Sequence, residues 1–369
     1  MKAQSAHTPR NNTRRAALRL ALAVTVGTSF ATFARATETI NVAFVSGFPP
    51  NATFVAAFNS GFAPAVDKVL AKTGNYKVRW NFAHSGQIAK PRGELEALQG
   101  GLADIAAVPG PYHFDRAPML EVVYQTPFSG HDAAQMSDVF QQMEKKFPQI
   151  QQGWAKLNQR VLVATANADS YVLVLTKPAR TVAELKGVKI GAVGPNSPWL
   201  QYVGATPVQA AMADWYTGMN TGVYQGAMTP PQALGAFKLC QAGKYVVDAG
   251  LGASGIINLN VNLAFWNKLP AEVKQAFEEA APVYNKEQLR ILFEGSKEAM
   301  ELCRKQYGMV EISFSPEERA RWAKGMPNIA QEWAQRMEKQ GLPGKEVLTF
   351  YMDAMRASKQ PIARHWDRE

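Results

Sequence analysis

The stretch from Thr181 to Pro231 restricts the fold more than any other part of the chain, because short apolar runs alternate there with segments of helical character. Thr181 and Glu184 have capping-box spacing, which predicts a helix start. The other predicted elements are a buried strand at 188–193, a helical segment at 197–203, an amphipathic helix at 214–221 and an edge strand at 223–226. Alternation of this kind is typical of an α/β sheet.

Residues 1–36 predict an export signal. Basic residues precede an apolar run over 20–33, and 34–36 has the A-x-A form of a cleavage site. The run is too short for a convincing membrane span. The pair Arg14-Arg15 fits the twin-arginine route, and an ordinary Sec signal with a basic start explains the same residues equally well. We expect a periplasmic protein whose mature chain begins after Ala36.

The charge of the chain gives no support to a nucleic-acid partner. The formal net charge is +10, but residues 1–36 hold six basic residues and no acid. About +4 therefore remains for the mature part, in which no basic run is interleaved with aromatic residues. The mature part has about 330 residues, enough for two lobes.

Strands and helices also alternate outside the central stretch. Predicted strands cover 40–45, 76–82, 103–108, 161–165, 171–176, 244–249 and 256–263, and predicted helices cover 55–70, 92–99, 132–145, 271–307 with a kink at Pro282, 315–340 and 344–358. In open α/β sheets, ligands bind at the carboxyl ends of the strands. Phe48 follows the first strand and is a candidate pocket wall, or alternatively a loop aromatic that covers the core.

Residues 250–255 match G-x-G-x-x-G after a predicted strand. A dinucleotide site needs a helix to begin at that point, because the helix N-terminus holds the pyrophosphate. Residues 256–263 alternate like a strand instead. We therefore predict a flexible crossover between the lobes and no cofactor, since glycine suits a hinge loop.

Cys240 and Cys303 are far apart in sequence and lie in segments of helical character. Two separate buried thiols are the favoured interpretation, and a disulfide is the alternative in an oxidising compartment. The sequence holds no G-x-S-x-G, H-E-x-x-H, C-x-x-C or P-loop motif. The histidines of the mature part are scattered, at His84, His113, His131 and His365. We expect neither an enzyme nor a metal site.

The central stretch resembles the solute-binding proteins of TRAP transporters, the tripartite periplasmic importers. The matching residues are Glu184-Leu185-Lys186-Gly187-Val188-Lys189-Ile190, Gly204-Ala205-Thr206-Pro207, Asp214-Trp215-Tyr216, Gly222-Val223-Tyr224-Gln225-Gly226 and Pro230. Gly191 stands where the family has the arginine that pairs with the ligand carboxylate. Thr229 stands where the family usually has asparagine, and Tyr171 lies near a second family arginine.

The resemblance implies an α/β, two-lobe periplasmic binding protein fold, with mixed sheets flanked by helices and a long C-terminal helical tract that bridges the lobes. We expect lobe 1 in 37–168 plus 257–298, and lobe 2 with the C-terminal helices in 169–256 plus 299–369. The family implies capture of a small organic solute in the interlobe cleft and delivery to TRAP membrane permease subunits, by a monomer. A periplasmic hydrolase or isomerase and a ligand-sensing subunit of a signalling receptor are the alternatives.

The expectation about the ligand follows from Gly191, because the family arginine that pairs with a carboxylate is missing at this position. A buried carboxylate needs a charged or multiply hydrogen-bonded partner. Arg92 is the candidate replacement cation; alternatively, the ligand carries little negative charge and lies against aromatic walls. Space left by Gly191 suits a ring-bearing ligand, so we predict a partly apolar or aromatic monocarboxylate held by Arg92, Tyr171 or backbone donors. The predicted ligand-binding residues are Phe48, Arg92, Tyr112, Tyr171, Trp199, Trp215, Tyr216 and Thr229, although Trp215 fits a core position equally well.

Overall fold

Two β-sheets, one in each lobe, organise the chain. The computed structural model describes residues 36–130, 132–192, 194–210 and 212–369, so the predicted signal segment lies almost entirely outside the described residues. The strands are β1 (Glu38–Val45), β2 (Tyr76–Ala83), β3 (Ile105–Pro109), β4 (Gln159–Ala168), β5 (Val172–Leu175), β6 (Lys189–Ala192), β7 (Thr206–Gln209), β8 (Gly226–Thr229), β9 (Tyr245–Asp248), β10 (Ser254–Asn262) and β11 (Val310–Ser313). The first sheet has the order β2-β1-β3-β10-β4, and the second has the order β11-β9-β5-β8-β6-β7.

Helices cover both faces of the sheets. They are α1 (Thr53–Ala57), α2 (Ala63–Leu70), α3 (Glu94–Gln99), α4 (Val122–Gln125), α5 (Ala133–Lys146), α6 (Pro148–Lys156), α7 (Met212–Asn220), α8 (Gln232–Ala236), α9 (Leu239–Ala242), α10 (Leu263–Lys268), α11 (Ala271–Tyr307), α12 (Pro316–Gly325), α13 (Ile329–Lys339) and α14 (Gly344–Ala357). A π-helical segment, Phe58–Phe62, joins α1 to α2. Shorter 3₁₀ segments are Gly110–Tyr112, Pro118–Glu121, Val182–Leu185 and Gly194–Val203.

The strand directions bring several strand ends to one edge in each sheet. β1 is parallel to β3, and β10 runs antiparallel to both β3 and β4, so β1, β3 and β4 all end at the same edge. In the second sheet, β6 and β8 are parallel, whereas β5 is antiparallel to β8. Val172 at the start of β5 therefore pairs with Thr229 at the end of β8. Loops from both sheets can meet at these edges, and ligands of open α/β sheets bind at such carboxyl ends of strands.

Period-2 alternation divides each sheet between two hydrophobic cores. In β1, Val42 and Phe44 pack with α1, α2 and α11, while Val45 packs on the opposite face. In β5, Val172 and Val174 face the cluster that contains α7, while Leu173 and Leu175 face the other side. One core cluster contains residues of both sheets and of the C-terminal helices. The lobes are therefore joined by continuous apolar packing as well as by chain crossings.

The 37-residue helix α11 matches the predicted tract from Ala271 to Tyr307, and Pro282 lies within it. It packs against α1, α2 and β4 of the first lobe and against α8 and α9, which flank the second sheet. Helices α13 and α14, by contrast, contact α4 and α5, which come before β4 in the chain. These contacts place α13 and α14 against helices of the first lobe. The predicted lobe boundaries remain a proposal.

Three local predictions differ from the structure. Thr181 makes no side-chain cap; the N–H of Val182 instead donates to the Glu318 carboxylate at 2.6 Å, and a 3₁₀ segment follows. The predicted helix at 315–340 is two helices, because Pro327 lacks an N–H and disfavours helix at the residue before it. The predicted edge strand at 223–226 is replaced by β8, which lies three residues later and inside the sheet, between β5 and β6.

Cys240 and Cys303 form a disulfide, with their Cα atoms 5.5 Å apart. The favoured prediction of two separate thiols is therefore wrong. Helix α9 carries Cys240 against the last turns of α11, and both residues lie in the core cluster on the outer face of the second sheet. Sequence spacing could not reveal this contact, because it depends on how α9 packs against the part of α11 that carries Cys303, 63 residues after Cys240.

The glycine-rich crossover connects β9 of the second sheet to β10 of the first, and a strand follows it, as predicted. The dinucleotide interpretation fails because no helix begins there. The crossover is buried and bonded: Phe128 N–H donates to Leu251 at 3.0 Å, and Ala253 N–H donates to Gly130 at 2.8 Å. Gly252 has φ +95°, and a Cβ atom there would lie 2.3 Å from the Gly130 carbonyl oxygen.

Gly252→Ala is expected to lower the free energy of unfolding by about 2 kcal/mol or more, since it combines a positive φ with backbone overlap. The matched control is Gly101→Ala, which has φ +74° but no atom within 4 Å of the added Cβ. The control should lose only about 1–2 kcal/mol, from backbone strain alone. Urea midpoints of both variants measure the difference. Equal losses would contradict the steric role assigned to the Gly130 carbonyl.

Candidate functional site

A cavity of about 500 Å³ lies between the two sheets. Its size is within the range of small-molecule sites. The lining residues come from loops at strand ends of both lobes and from helices α1, α4, α7, α8 and α11: Phe48, Pro49, Asn51, Ala52, Thr53, Phe54, Pro109, Pro111, Tyr112, Tyr124, Asn167, Tyr171, Gly194, Pro195, Met212, Trp215, Pro230, Gln232, Ala233, Ala236, Phe237, Ile291 and Gly295. Most of these side chains are apolar or aromatic, so the cavity favours a solute with an apolar body.

Strand ends position the lining. Phe48 follows β1, Tyr112 follows β3 and Pro230 follows β8. Tyr171 precedes β5, which is antiparallel, and it therefore reaches the same edge as the end of β8. The prediction that ligands meet this chain at strand ends agrees with the position of the cavity.

Four of the eight predicted residues line the cavity: Phe48, Tyr112, Tyr171 and Trp215. The other four do not. Trp199 is 1% exposed; its indole N–H donates to the Tyr124 carbonyl at 3.0 Å, and its ring supports Tyr171 edge-on at 6.5 Å. Thr229 is buried at the end of β8. Tyr216 is half-buried on α7 beside Trp215, and neighbouring helical residues face directions about 100° apart.

Arg92 lies outside the lining. It is exposed, has φ +77°, and precedes α3 instead of forming its first turn. Its guanidinium carbon lies 4.4 Å from the centre of the Tyr112 ring, which is a cation–π contact. Arg92 therefore supports a wall residue, whereas the predicted role was direct pairing with a ligand carboxylate.

Gly191 does not leave open space, which corrects the sequence-based argument. A Cβ atom on residue 191 would lie 3.1 Å from Cδ1 and Nε1 of Trp215 and 3.1 Å from Cε2 of Tyr224. The indole of Trp215 therefore lies directly against the glycine. Trp215 is 0% exposed, and its Nε1 has no hydrogen-bond partner within the described part of the chain. It belongs to a core cluster and lines the cavity at the same time, so both interpretations of this residue hold.

Tyr124 is a lining residue that the sequence analysis missed, since it lies in α4, a short helix that is not among the predicted helices. Burial raises the pKa of Tyr124 well above its ordinary value, and burial raises the pKa of Tyr171 to about 12. Both hydroxyls are therefore protonated at neutral pH. The pKa of Tyr171 is also held down in part by Ser254 and Asn196.

Ser254 and Asn196 bring further neutral polar atoms close to the tyrosines. Both are at least 98% buried. The Ser254 Oγ and the Asn196 Oδ1 lack a partner at hydrogen-bond geometry among the described residues, although both side chains lie within electrostatic reach of the Tyr171 hydroxyl. No sequence motif identifies Tyr124, Ser254 or Asn196, because three separate segments bring them together.

None of the described residues that line the cavity is Asp, Glu, Lys, Arg or His. Across the ranges that the structure describes, no group of three or more His, Cys, Asp or Glu residues could hold a metal ion. No helix within those ranges has the length and apolar character needed to cross a membrane. The site thus consists of aromatic and apolar walls with neutral hydrogen-bonding groups.

Solved structures share this fold. A TRAP periplasmic solute-binding protein from Bordetella bronchiseptica, solved with bound (R)- and (S)-mandelate, is 19% identical; the match covers 86% of this chain and 99% of that one, with a TM-score of 0.72. A TRAP solute-binding protein from Rhodoferax ferrireducens T118, solved with copurified benzoate, is 17% identical; the match covers 87% and 98%, with a TM-score of 0.74. At these identities the likeness is one of fold.

Sequence comparison adds the family. The C4-dicarboxylate-binding periplasmic protein DctP of Rhodobacter capsulatus is 29% identical over 136 residues, which is 37% of this chain and only 40% of that protein. The profile of the bacterial extracellular solute-binding proteins of family 7 matches residues 60–360. That match spans most of the chain, including strands β2 to β11 and the cavity-lining residues from Pro109 onward. The chain therefore belongs to family 7 of the bacterial extracellular solute-binding proteins.

Proposed function

We propose that this chain is the solute-capturing component of a TRAP-type importer, which binds a small, partly apolar or aromatic organic solute between its lobes and delivers it to membrane permease subunits. The observation that carries the proposal is the aromatic cavity between the two sheets, lined from strand ends of both lobes. Relatives of the same fold that were solved with mandelate and benzoate support a ring-bearing ligand.

The proposal places the mature protein in the periplasm as a monomer, exported by the Sec or twin-arginine signal expected in residues 1–36. Family 7 is a family of solute-binding proteins and not of enzymes. The uncharged lining also lacks the acid, base or nucleophile pairs on which a hydrolase or isomerase depends. We propose that the bound solute leaves the protein chemically unchanged.

Ligand binding is expected to close the lobes. The cavity walls belong to different sheets, so a solute that touches both walls stabilises the closed arrangement. A thermal-shift screen of aromatic acids, their neutral analogues and C4-dicarboxylates would identify ligands. Small-angle scattering with a ligand from that screen should then give a smaller radius of gyration than the free protein. Identical scattering curves at saturating ligand would count against closure, and turnover of the solute would count against a transport role.

A further inference from the structure

The cavity has an unusual charge pattern for a site that takes organic solutes. None of the described lining residues carries a charged side chain, and Arg92 lies behind Tyr112 on the exposed side. A buried anion is stabilised either by an opposite charge or by several hydrogen bonds to its charged form. The polar group of a solute in this cavity must therefore be bound by neutral hydrogen-bond donors.

Trp215 is the donor in the most favourable position. Trp215 lines the cavity, and its indole N–H, which can only donate, is buried beside Gly191 without a partner among the described residues. A buried donor without a partner destabilises the protein until an acceptor reaches it. The indole also lies against Gly191, so an arginine at 191 and this indole cannot occupy the same space.

The tyrosine hydroxyls supply the remaining hydrogen bonds. Tyr124 and Tyr171 are protonated at neutral pH, since the ordinary pKa of a tyrosine is already about 10 and burial raises the pKa of both further. Each hydroxyl can donate to a ligand oxygen while it accepts from a neighbour. Gln232 is already engaged in the wall, since its side-chain amide donates to the main-chain carbonyl of Asn167 at 3.0 Å, and the Asn167 Oδ1 accepts from the Gln288 amide at 3.4 Å.

We propose, on the basis of the proposed transport function, that Trp215 determines specificity: its Nε1, with the hydroxyls of Tyr124 and Tyr171, binds the single polar group of a ring-bearing solute without any cation. One carboxylate can be held by several neutral donors. A second carboxylate finds no charged side chain among the described lining residues, and its burial against the apolar walls is costly, so C4-dicarboxylates are expected to bind far more weakly. Because donors and not charge hold the polar group, an amide in place of the carboxylate binds nearly as well.

The test uses titration calorimetry on the mature chain with two isosteric pairs, benzoate with benzamide and 3-phenylpropanoate with 3-phenylpropanamide, together with succinate. The Kd values within each pair are expected to agree within about tenfold, and succinate is expected to bind far more weakly. Trp215→Phe keeps an aromatic ring and removes the N–H. It should weaken binding of the amide by about fivefold to tenfold, the value of one lost neutral hydrogen bond, and binding of the acid by at least as much, because a bond to a carboxylate is charge-assisted.

Trp154→Phe is the matched control. Trp154 is also buried, and its Nε1 also lacks a partner in the described ranges, but it lies outside this cavity. The control variant should change the Kd values by less than about threefold, as expected for a residue outside the cavity lining.

Three outcomes would overturn the inference while leaving a transport function intact: an amide at least about a hundredfold weaker than its acid, an unchanged Kd in Trp215→Phe, or binding of succinate with no binding of the ring-bearing probes. Failure of every probe to bind would also overturn the assigned ligand class. Chemical conversion of any probe would instead contradict the proposed transport function.

Discussion

Gly191→Arg is expected to reduce binding of benzoate and benzamide by at least about a hundredfold, and to lower the free energy of unfolding by about 1–3 kcal/mol. A Cβ atom at this position already lies 3.1 Å from Trp215 and Tyr224, so a full arginine must displace the indole. Displacement removes both the aromatic wall and the N–H donor. Calorimetry and urea denaturation measure the two effects separately.

The double variant Gly191→Arg with Trp215→Ala tests whether overlap with the Trp215 indole causes the loss of binding and stability in Gly191→Arg. Removal of the indole gives the guanidinium room, and a guanidinium can bind a carboxylate through two parallel hydrogen bonds. We expect the double variant to regain stability relative to Gly191→Arg and to bind benzoate much more tightly than benzamide. Gly153→Arg serves as the control for the added charge, because no atom lies within 4 Å of a Cβ at residue 153. Wild-type binding in Gly191→Arg would contradict the exclusion of arginine by the indole.

Loss of the disulfide is expected to be the largest stability change in this protein. Cys240 and Cys303 enclose a separation of 63 residues, for which chain-entropy arguments give about 4 kcal/mol of stabilisation. The closed loop contains β9 of the second sheet, β10 of the first sheet, α10 and most of α11. The variant Cys240→Ser/Cys303→Ser should therefore have a clearly lower urea midpoint than the wild type.

A reducing agent provides the second arm of this experiment. The wild type in reductant should unfold at nearly the same urea concentration as the double serine variant, whereas reductant should leave the variant unchanged. The comparison separates loss of the cross-link from the effect of placing serine in a buried site. Equal midpoints for wild type with and without reductant would contradict a stabilising disulfide.

Local sequence patterns determined most of the secondary structure. The apolar period of 3.6 residues predicted α11 with both ends correct, and Ser315 followed by Pro316 marked the start of α12 through its side-chain cap on Glu318. Alternating apolar residues predicted β10, and this alone excluded a dinucleotide site after the glycine-rich crossover. These predictions succeed because periodicity, capping and backbone restrictions act within a few residues of one another.

Three features depended on the tertiary structure: the position of β8 in the sheet, the Cys240–Cys303 disulfide, and the lack of charged side chains in the described cavity lining. Gly226 allows β8 to pair closely with β5, since a side chain there would overlap Leu175 and the Val174 carbonyl of the neighbouring strand. No pattern around Gly191 shows that an indole 24 residues later fills its space, and none around Tyr124 shows that it faces Tyr171. Each depends on distances between segments that are remote in sequence. Packing sets those distances, and a single sequence does not encode them in any local period.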